Sequence, residues 1–396
     1  MTAPIVIVGA GQAGIRAAET LRQLGCDNPI LMFGEEPYPP YQRPPLSKKF
    51  LAGEMSEEQL HLHGDSFFEH HAIEFVKGSR VLAIDPRERR IQLAGVSAPV
   101  RYAKLLIATG CQTRPLPVAV ADGTDLETLR TIDDVIRLRE RLPGAHRIAI
   151  IGGGYIGLEV TAVLRTMGKS VTLLEAQPCL MNRVTCEAVS EFFRCLHGER
   201  GVDIRLNAKV IGIAKDGAAM AVELAGGERI GADLVLVAIG AMANDALARE
   251  AGLPCRDGIL VDDHCRVAPD IFAAGDCTRF PSARYGRQVR LESVQNANDQ
   301  ARAAAHAMLG DAVRYDPVPW FWSDQYEIKL QIAGLGEGYD HIATEGNPEE
   351  NAFAVSYFKA GRLIAVDAVN MGRAHMLARR SLAEGPAIAT ADALPR

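Results

Sequence analysis

The chain has 396 residues, 48% of them hydrophobic and 23% charged, and its 43 basic and 49 acidic side chains give a net charge of −6. That length suggests two or three globular domains, and the acidic balance argues against bulk binding to nucleic acid or to an anionic membrane. No apolar run is long enough to cross a bilayer and no signal-like pattern opens the chain, so a cytoplasmic location is expected. Eight cysteines are scattered without a C-x-x-C spacing, which gives no support to a zinc site or a dithiol centre; no metal is expected.

Residues 4–14 read PIVIVGAGQAG. Ile5–Val8 is a short strand buried on both faces, and Gly9, Gly11 and Gly14 follow in G-x-G-x-x-G spacing. A helical stripe of Ile15, Ala18, Leu21 and Leu24 comes next. Each glycine meets a physical demand: a tight turn, close approach of a pyrophosphate to the backbone, and close packing of helix on strand. Glu35 ends the next apolar run, where a carboxylate can hold a ribose.

Tyr38 to Lys48, YPPYQRPPLSK, is too rich in proline for helix or central strand and is expected as a rigid, extended loop carrying Arg43 and Lys48. Val81 to Ile84 and Arg90 to Leu93 read as a hairpin-like pair. Lys104 to Gly110 is a buried strand ending in a Gly turn, and Leu126 to Leu142 a charged, helix-like connector containing Arg130.

The opening pattern then recurs. Ile148 to Ile151 is a strand, Gly152, Gly154 and Gly157 repeat the spacing with Ile156 between them, and the next strand, Ser170 to Leu174, ends in Glu175. Two complete fingerprints imply two dinucleotide-binding domains. Val202 to Leu224 reads as short strands with turns, and Asp233 to Gly240 as another buried strand ending in Gly. Ile271 to Asp276 puts an Asp after a strand and a Gly turn, and a helical run covers Asn296 to Leu309.

From Val318 the character changes. Trp320 and Trp322 fall together in PWFWSDQY, and Phe353 to Phe358 and Leu363 to Val369 flank a hairpin turn. The expected fold is α/β: two Rossmann-like domains, the second inserted in the first, plus a C-terminal α+β domain. The boundaries are 1–112 with 241–317, 113–240, and 318–396.

The first fingerprint, YQRPPLSK, ATG, GGGYIGLE, Glu175, Gly275-Asp276 and ESVQNA occur in that order, and together they resemble the FAD-dependent NADH:ferredoxin reductases of Rieske oxygenase and bacterial cytochrome monooxygenase systems. Such systems serve aromatic hydrocarbon catabolism. The resemblance covers essentially the whole chain. Glutathione reductase-like flavoproteins share the fold but carry a redox-active cysteine pair near the position of RPPLSK, which has none here.

The resemblance implies that the first domain holds FAD. Gly9, Gly11, Ala13 and Gly14 would meet the pyrophosphate, Glu35 the adenosine ribose, Arg43, Lys48, Val81 and Arg130 other parts of FAD, Asp276 the ribityl chain and Val294 the isoalloxazine. NADH would bind at Gly152, Gly154, Ile156, Gly157 and Glu175, because a carboxylate accepts from a ribose 2′-OH and repels a 2′-phosphate. Hydride would pass from NADH to FAD, and single electrons from FAD to a small acidic 2Fe–2S ferredoxin that docks transiently. Lys48, paired with Glu159, would lie beside the hydride-accepting nitrogen. Trp320 is the family's candidate for the flavin edge, although two aromatics at i and i+2 also suit one face of a core strand.

Basic candidates for docking are Lys48, Lys49, Arg284, Arg287, Arg290, Arg373, Arg379 and Arg380. A rubredoxin reductase, an NADH oxidase, and an NADH-sensing flavoprotein resembling apoptosis-inducing factor are the alternatives. No nucleic-acid or membrane partner is expected, and the chain would be a monomer or homodimer.

Overall fold

The computed structural model describes residues 3–384 other than 65, 218 and 312. It is mixed α/β and divides into two compact units. The first comprises the described residues of Met1–Gln42, Glu58–Gln112 and Ala241–Pro317, the second Arg43–Glu57, Thr113–Gly240 and those of Val318–Arg396.

The first unit is built on a six-stranded sheet ordered 266–268, 271–273, 104–107, 5–8, 30–33, 73–76. Ile5–Val8 pairs in parallel with Ile30–Phe33 on one side and Lys104–Ile107 on the other. A central parallel strand is covered on both faces, and all four of its residues are buried. The helix Gln12–Gln23 follows. It ends one residue before the apolar stripe does: Leu24 is its C-cap and is exposed. The hairpin Val81–Asp85 with Arg90–Leu93 forms, with Val100–Arg101 as a third strand.

The second unit repeats the same parallel core in the order 203–205, 170–174, 147–151, 234–237. A four-stranded sheet, 229–232, 219–224, 210–216 and 119–120, adds an apolar layer under Val235 and Val237. The connector helix is shorter than the charged stretch suggests. It covers Ile132–Arg141 and starts at Thr131, whose hydroxyl accepts from the Asp134 amide in a capping box, so Arg130 lies outside it.

The proline segment departs from the extended loop expected of it. Pro44–Ser47 is a short 3₁₀ turn and Lys49–Ala52 a helical turn. Prolines at the first turn lose no hydrogen bond, because those amides have no partner in a helix anyway. Phe50 and Leu51 are buried, and the segment clusters with the second unit.

The C-terminal stretch is an antiparallel sheet ordered 320–325, 328–334, 362–369, 352–359, 341–347, covered by the helix Gly372–Ala383. It clusters with 113–240 in one unit. Ala360 and Gly361, both at positive φ, make the tight turn of its last hairpin. Among the described residues no helix is long and apolar enough to cross a membrane.

Within this sheet Asp367 is 1% exposed and accepts from the Tyr357 hydroxyl at 2.5 Å. Burial pushes its carboxyl up to about 7, with the Tyr357 bond opposing. A carboxyl raised in the fold stabilises it fully below its unfolded pKa near 4 and loses that stability as pH rises through 7. Asp367→Asn, which keeps an acceptor for Tyr357, will therefore raise the unfolding temperature at pH 8. The gain, on the order of 3 kcal/mol, will shrink as pH falls toward 4. A gain independent of pH in thermal melts would overturn this account of Asp367.

Candidate functional site

The two fingerprints have the same geometry. Gly9 and Gly152 both sit at φ +110°, where L side chains are strained. A Cβ on Gly9 would lie 2.1 Å from the Ala108 oxygen, and one on Gly152 2.4 Å from the Ala238 oxygen. A Cβ on Gly14 would meet the Gly9 oxygen at 2.0 Å, and one on Gly157 the Gly152 oxygen at 2.1 Å. The middle glycines differ: a Cβ on Gly11 or Gly154 meets nothing within 4 Å. Each crossover is thus closed against the protein at its first and third glycines and open at its second.

Neither following helix, Gln12–Gln23 or Tyr155–Thr166, has a side-chain cap or an acidic residue in its first turn. Their terminal amides are free for an anion, unlike those of the capped helix at Ile132. Open space at the second glycine and an uncapped helix are what a dinucleotide pyrophosphate requires, so the residues present fit FAD and NADH.

Around the first crossover, Glu35 is exposed just beyond Ile30–Phe33, with Arg80 at 3.5 Å. Val81 opens its hairpin strand, and Val294 is the first residue of the helix Val294–Met308, capped by Ser293. Asp276 follows Gly275, whose φ is +89°, and accepts from the Cys111 thiol at 3.2 Å. The turn is braced from below. The Gln300 side-chain oxygen accepts from the Gly275 amide at 2.8 Å and from the Thr278 hydroxyl at 2.7 Å.

At the second crossover Ile156 is 43% exposed, an apolar side chain left open at the helix start. Glu175 Oε2 accepts from the Gly153 amide at 2.7 Å, and Oε1 from the Gln177 amide at 2.8 Å. Each oxygen keeps a second lone pair for a ribose hydroxyl.

The second unit also holds the ion pair. Lys48 Nζ donates to Glu159 Oε2 at 2.6 Å, and also to the Pro44 carbonyl at 3.2 Å. Glu159, 4% exposed, accepts from Ser47 Oγ at 2.5 Å and from Ser323 Oγ at 2.7 Å as well. Three donors replace the water that the carboxylate has lost. Arg43 and Arg130 lie in this unit too, the Arg43 guanidinium donating to the Arg130 carbonyl at 2.6 Å.

Trp320 stacks on Trp322 at 5.7 Å between ring centres, and the Arg379 guanidinium lies 4.7 Å over its ring. Phe321, on the opposite face of the strand, meets Tyr155.

Ser47, Ser323 and the Cys111–Asp276 bond escaped sequence reasoning. Only the alternation Phe321, Ser323, Gln325 hinted at a polar inward face. Of the docking candidates, Arg290 does not belong to a basic surface. It is 15% exposed and paired with Glu292 and Asp257. All eight cysteines are free, and no group of three or more His, Cys, Asp or Glu among the described residues is arranged for a metal.

Residues 3–301 match the pyridine nucleotide-disulphide oxidoreductase family, and residues 320–394 the reductase C-terminal family. The chain is 42% identical to rhodocoxin reductase of Rhodococcus erythropolis over 96% of its length and 89% of that protein. It is 37% identical to rubredoxin-NAD(+) reductase of Pseudomonas putida over 93% of its length and 96% of that protein. Among solved structures, the covalent putidaredoxin reductase–putidaredoxin complex superposes with a TM-score of 0.92 at 39% identity. The match covers 96% of this chain and 93% of that one.

Proposed function

The chain belongs to the pyridine nucleotide-disulphide oxidoreductase family, and from that membership we propose that it is the NADH-dependent reductase of a small 2Fe–2S ferredoxin serving an oxygenase. It is an oxidoreductase that uses FAD and NAD(P)H. The observation that carries the reading is the pair of open crossovers at Gly11 and Gly154, together with the absence of cysteine from the proline segment. Two dinucleotides and no dithiol favour electron transfer through a flavin over disulfide reduction. Bound FAD supplies the conversion of a two-electron donor's hydride into single electrons, which no side chain of this chain can do.

The residues divide accordingly. The first unit, at Gly9, Gly11, Ala13, Gly14, Glu35, Val81, Asp276 and Val294, takes FAD. Its helix N-terminus holds the pyrophosphate, and the Glu35 carboxylate accepts ribose hydroxyls. Residues 113–240, with Gly152, Gly154, Ile156, Gly157 and Glu175, take NADH. Glu175 supports NADH over NADPH, because a carboxylate repels a 2′-phosphate. Lys48, oriented by Glu159, is the cation presented to the flavin. Arg43 and Arg130 supply further cations, and Trp320 under Arg379 an aromatic surface. The ferredoxin partner is acidic, which suits Lys49, Arg373 and Arg379.

Cytochrome c reduction by the FAD-loaded protein, with and without added 2Fe–2S ferredoxin, tests this. Strong dependence on the ferredoxin and a higher kcat/KM for NADH than for NADPH are expected. Oxygen consumption without ferredoxin would make the protein an oxidase. Equal turnover with rubredoxin alone would make it a rubredoxin reductase.

A further inference from the structure

A continuous hydrogen-bonded chain runs from Glu159 away from Lys48, through residues that the proposed chemistry does not use. Ser323 Oγ donates to Glu159 Oε1 at 2.7 Å. Gln325 Nε2 donates to Ser323 Oγ at 3.2 Å. His197 Nε2 meets Gln325 Oε1 at 2.9 Å, and the Tyr326 hydroxyl lies 3.4 Å from His197 Nδ1. The Arg200 guanidinium covers the Tyr326 ring at 4.5 Å.

Three elements of the second unit are fastened in this way: the helix Glu187–Glu199, the strand Trp320–Gln325 and the helix Tyr155–Thr166. His197, Ser323 and Gln325 are each fully buried, at 0% exposure. Burying three polar side chains where apolar ones would pack is costly unless each is bonded, and here each is.

The chain has one direction. Burial lowers His197 to about 4, against a weaker opposing effect of its Gln325 bond, so the ring is neutral at pH 7 and carries one N–H. Gln325 presents its oxygen to the ring and its amide N–H to Ser323, so the ring N–H sits on Nε2 and Nδ1 accepts from Tyr326. Every donor then points toward Glu159. Ser323 must give its only proton to the carboxylate, because its oxygen is already receiving the Gln325 amide. Oε1 is held in this way, and Oε2 is turned to Ser47 and Lys48.

We propose that His197 and Gln325 are positioning residues that orient Glu159, and through it Lys48, by way of Ser323. The inference rests on the reading that Lys48 and Glu159 serve the flavin. The FAD-loaded protein, mixed rapidly with NADH, gives a rate constant for flavin reduction and an NADH Kd. His197→Leu, Gln325→Leu and Ser323→Ala will each lower the rate constant by about fivefold to tenfold, the kinetic equivalent of one lost hydrogen bond. NADH Kd will not change. Ser323→Thr keeps the hydroxyl, and His197→Gln keeps an N–H at the Nε2 position. Both will return the rate to within about twofold of the parent.

In a Glu159→Gln background the three deleterious substitutions will cost nothing further, because residues acting through one group are not additive. Losses that persist in that background, or a failure of both conservative variants to restore the rate, would overturn the proposal while leaving Glu159 in its role. A Glu159→Gln protein reduced at the parental rate would instead remove the reading of Lys48 and Glu159 on which the proposal stands.

Discussion

Replacing Lys48 by methionine will slow NADH-driven flavin reduction by about 100-fold, the size of effect seen when one preorganised charge is removed from a site where charge develops. Under the proposed function a flavin gaining hydride would gain negative charge, and Lys48, whose ammonium Glu159 fixes, is the cation proposed to offset it. Its side chain is 18% exposed and its partner Glu159 5%, so little water screens the pair. Methionine keeps the length and the apolar stem but not the charge. Glu159 retains the Ser47 and Ser323 hydroxyls in the variant, so its carboxylate is not left without donors. Folding and FAD content, checked by melting temperature and the visible flavin spectrum, will stay near those of the parent. A reduction rate within about twofold of the parent would show that the flavin does not depend on this cation.

Valine at Gly11 will give a folded chain that purifies without FAD. Valine at Gly154 will keep FAD but raise the NADH KM by about 100-fold, a loss of ~2.7 kcal/mol. The contrast within each fingerprint makes these the informative glycines. At Gly14 or Gly157 a Cβ overlaps backbone oxygen, so a substitution displaces the helix itself and confounds folding with binding. At Gly11 and Gly154 a Cβ enters open space, so the protein tolerates it and only the bound pyrophosphate is displaced. Flavin absorbance of the purified proteins and steady-state kinetics with NADH separate the outcomes. The reverse pattern, with FAD lost at Gly154→Val and kept at Gly11→Val, would exchange the two cofactor assignments. Wild-type behaviour in both would remove them.

These two predictions draw on different kinds of information. The glycines were legible from the sequence because their reasons are local. The turn, its positive φ and the approach of the third glycine to the first are settled within a few residues, and the strand before and the helix after carry their own periodicities. Only the first glycine's approach to Ala108 or Ala238 is long-range. The positions of Glu35, Glu175 and Asp276 just beyond their strands were legible in the same way, and their ligand roles belong to the proposed function. That Ile5–Val8 and Lys104–Ile107 are buried was legible from their short apolar runs, but the parallel pairing that puts Ile5–Val8 between Ile30–Phe33 and Lys104–Ile107 was decided by the structure.

Local pattern misled where another interaction competed with it. Proline density suggested an extended segment, yet prolines at first-turn positions start helical turns at Pro44–Ser47, and buried Phe50 and Leu51 anchor that segment in the second unit. Leu24 continued an apolar stripe past the end of its helix. Arg290 counted as a surface cation by type, while it is only 15% exposed and its charge is taken up by Glu292 and Asp257.

The sequence by itself determined that this chain has two dinucleotide crossovers, because each is written in one short strand–glycine–helix stretch whose spacing and flanking periodicities can be read locally. Only the tertiary structure decided what surrounds Glu159 besides Lys48, whose pairing the family resemblance already implied. Ser47, His197, and Ser323 with Gln325 come from segments separated by more than 100 residues, and no periodicity links those segments. A buried carboxylate takes its donors from wherever packing brings them, so they become visible only once helix and sheet have closed around it.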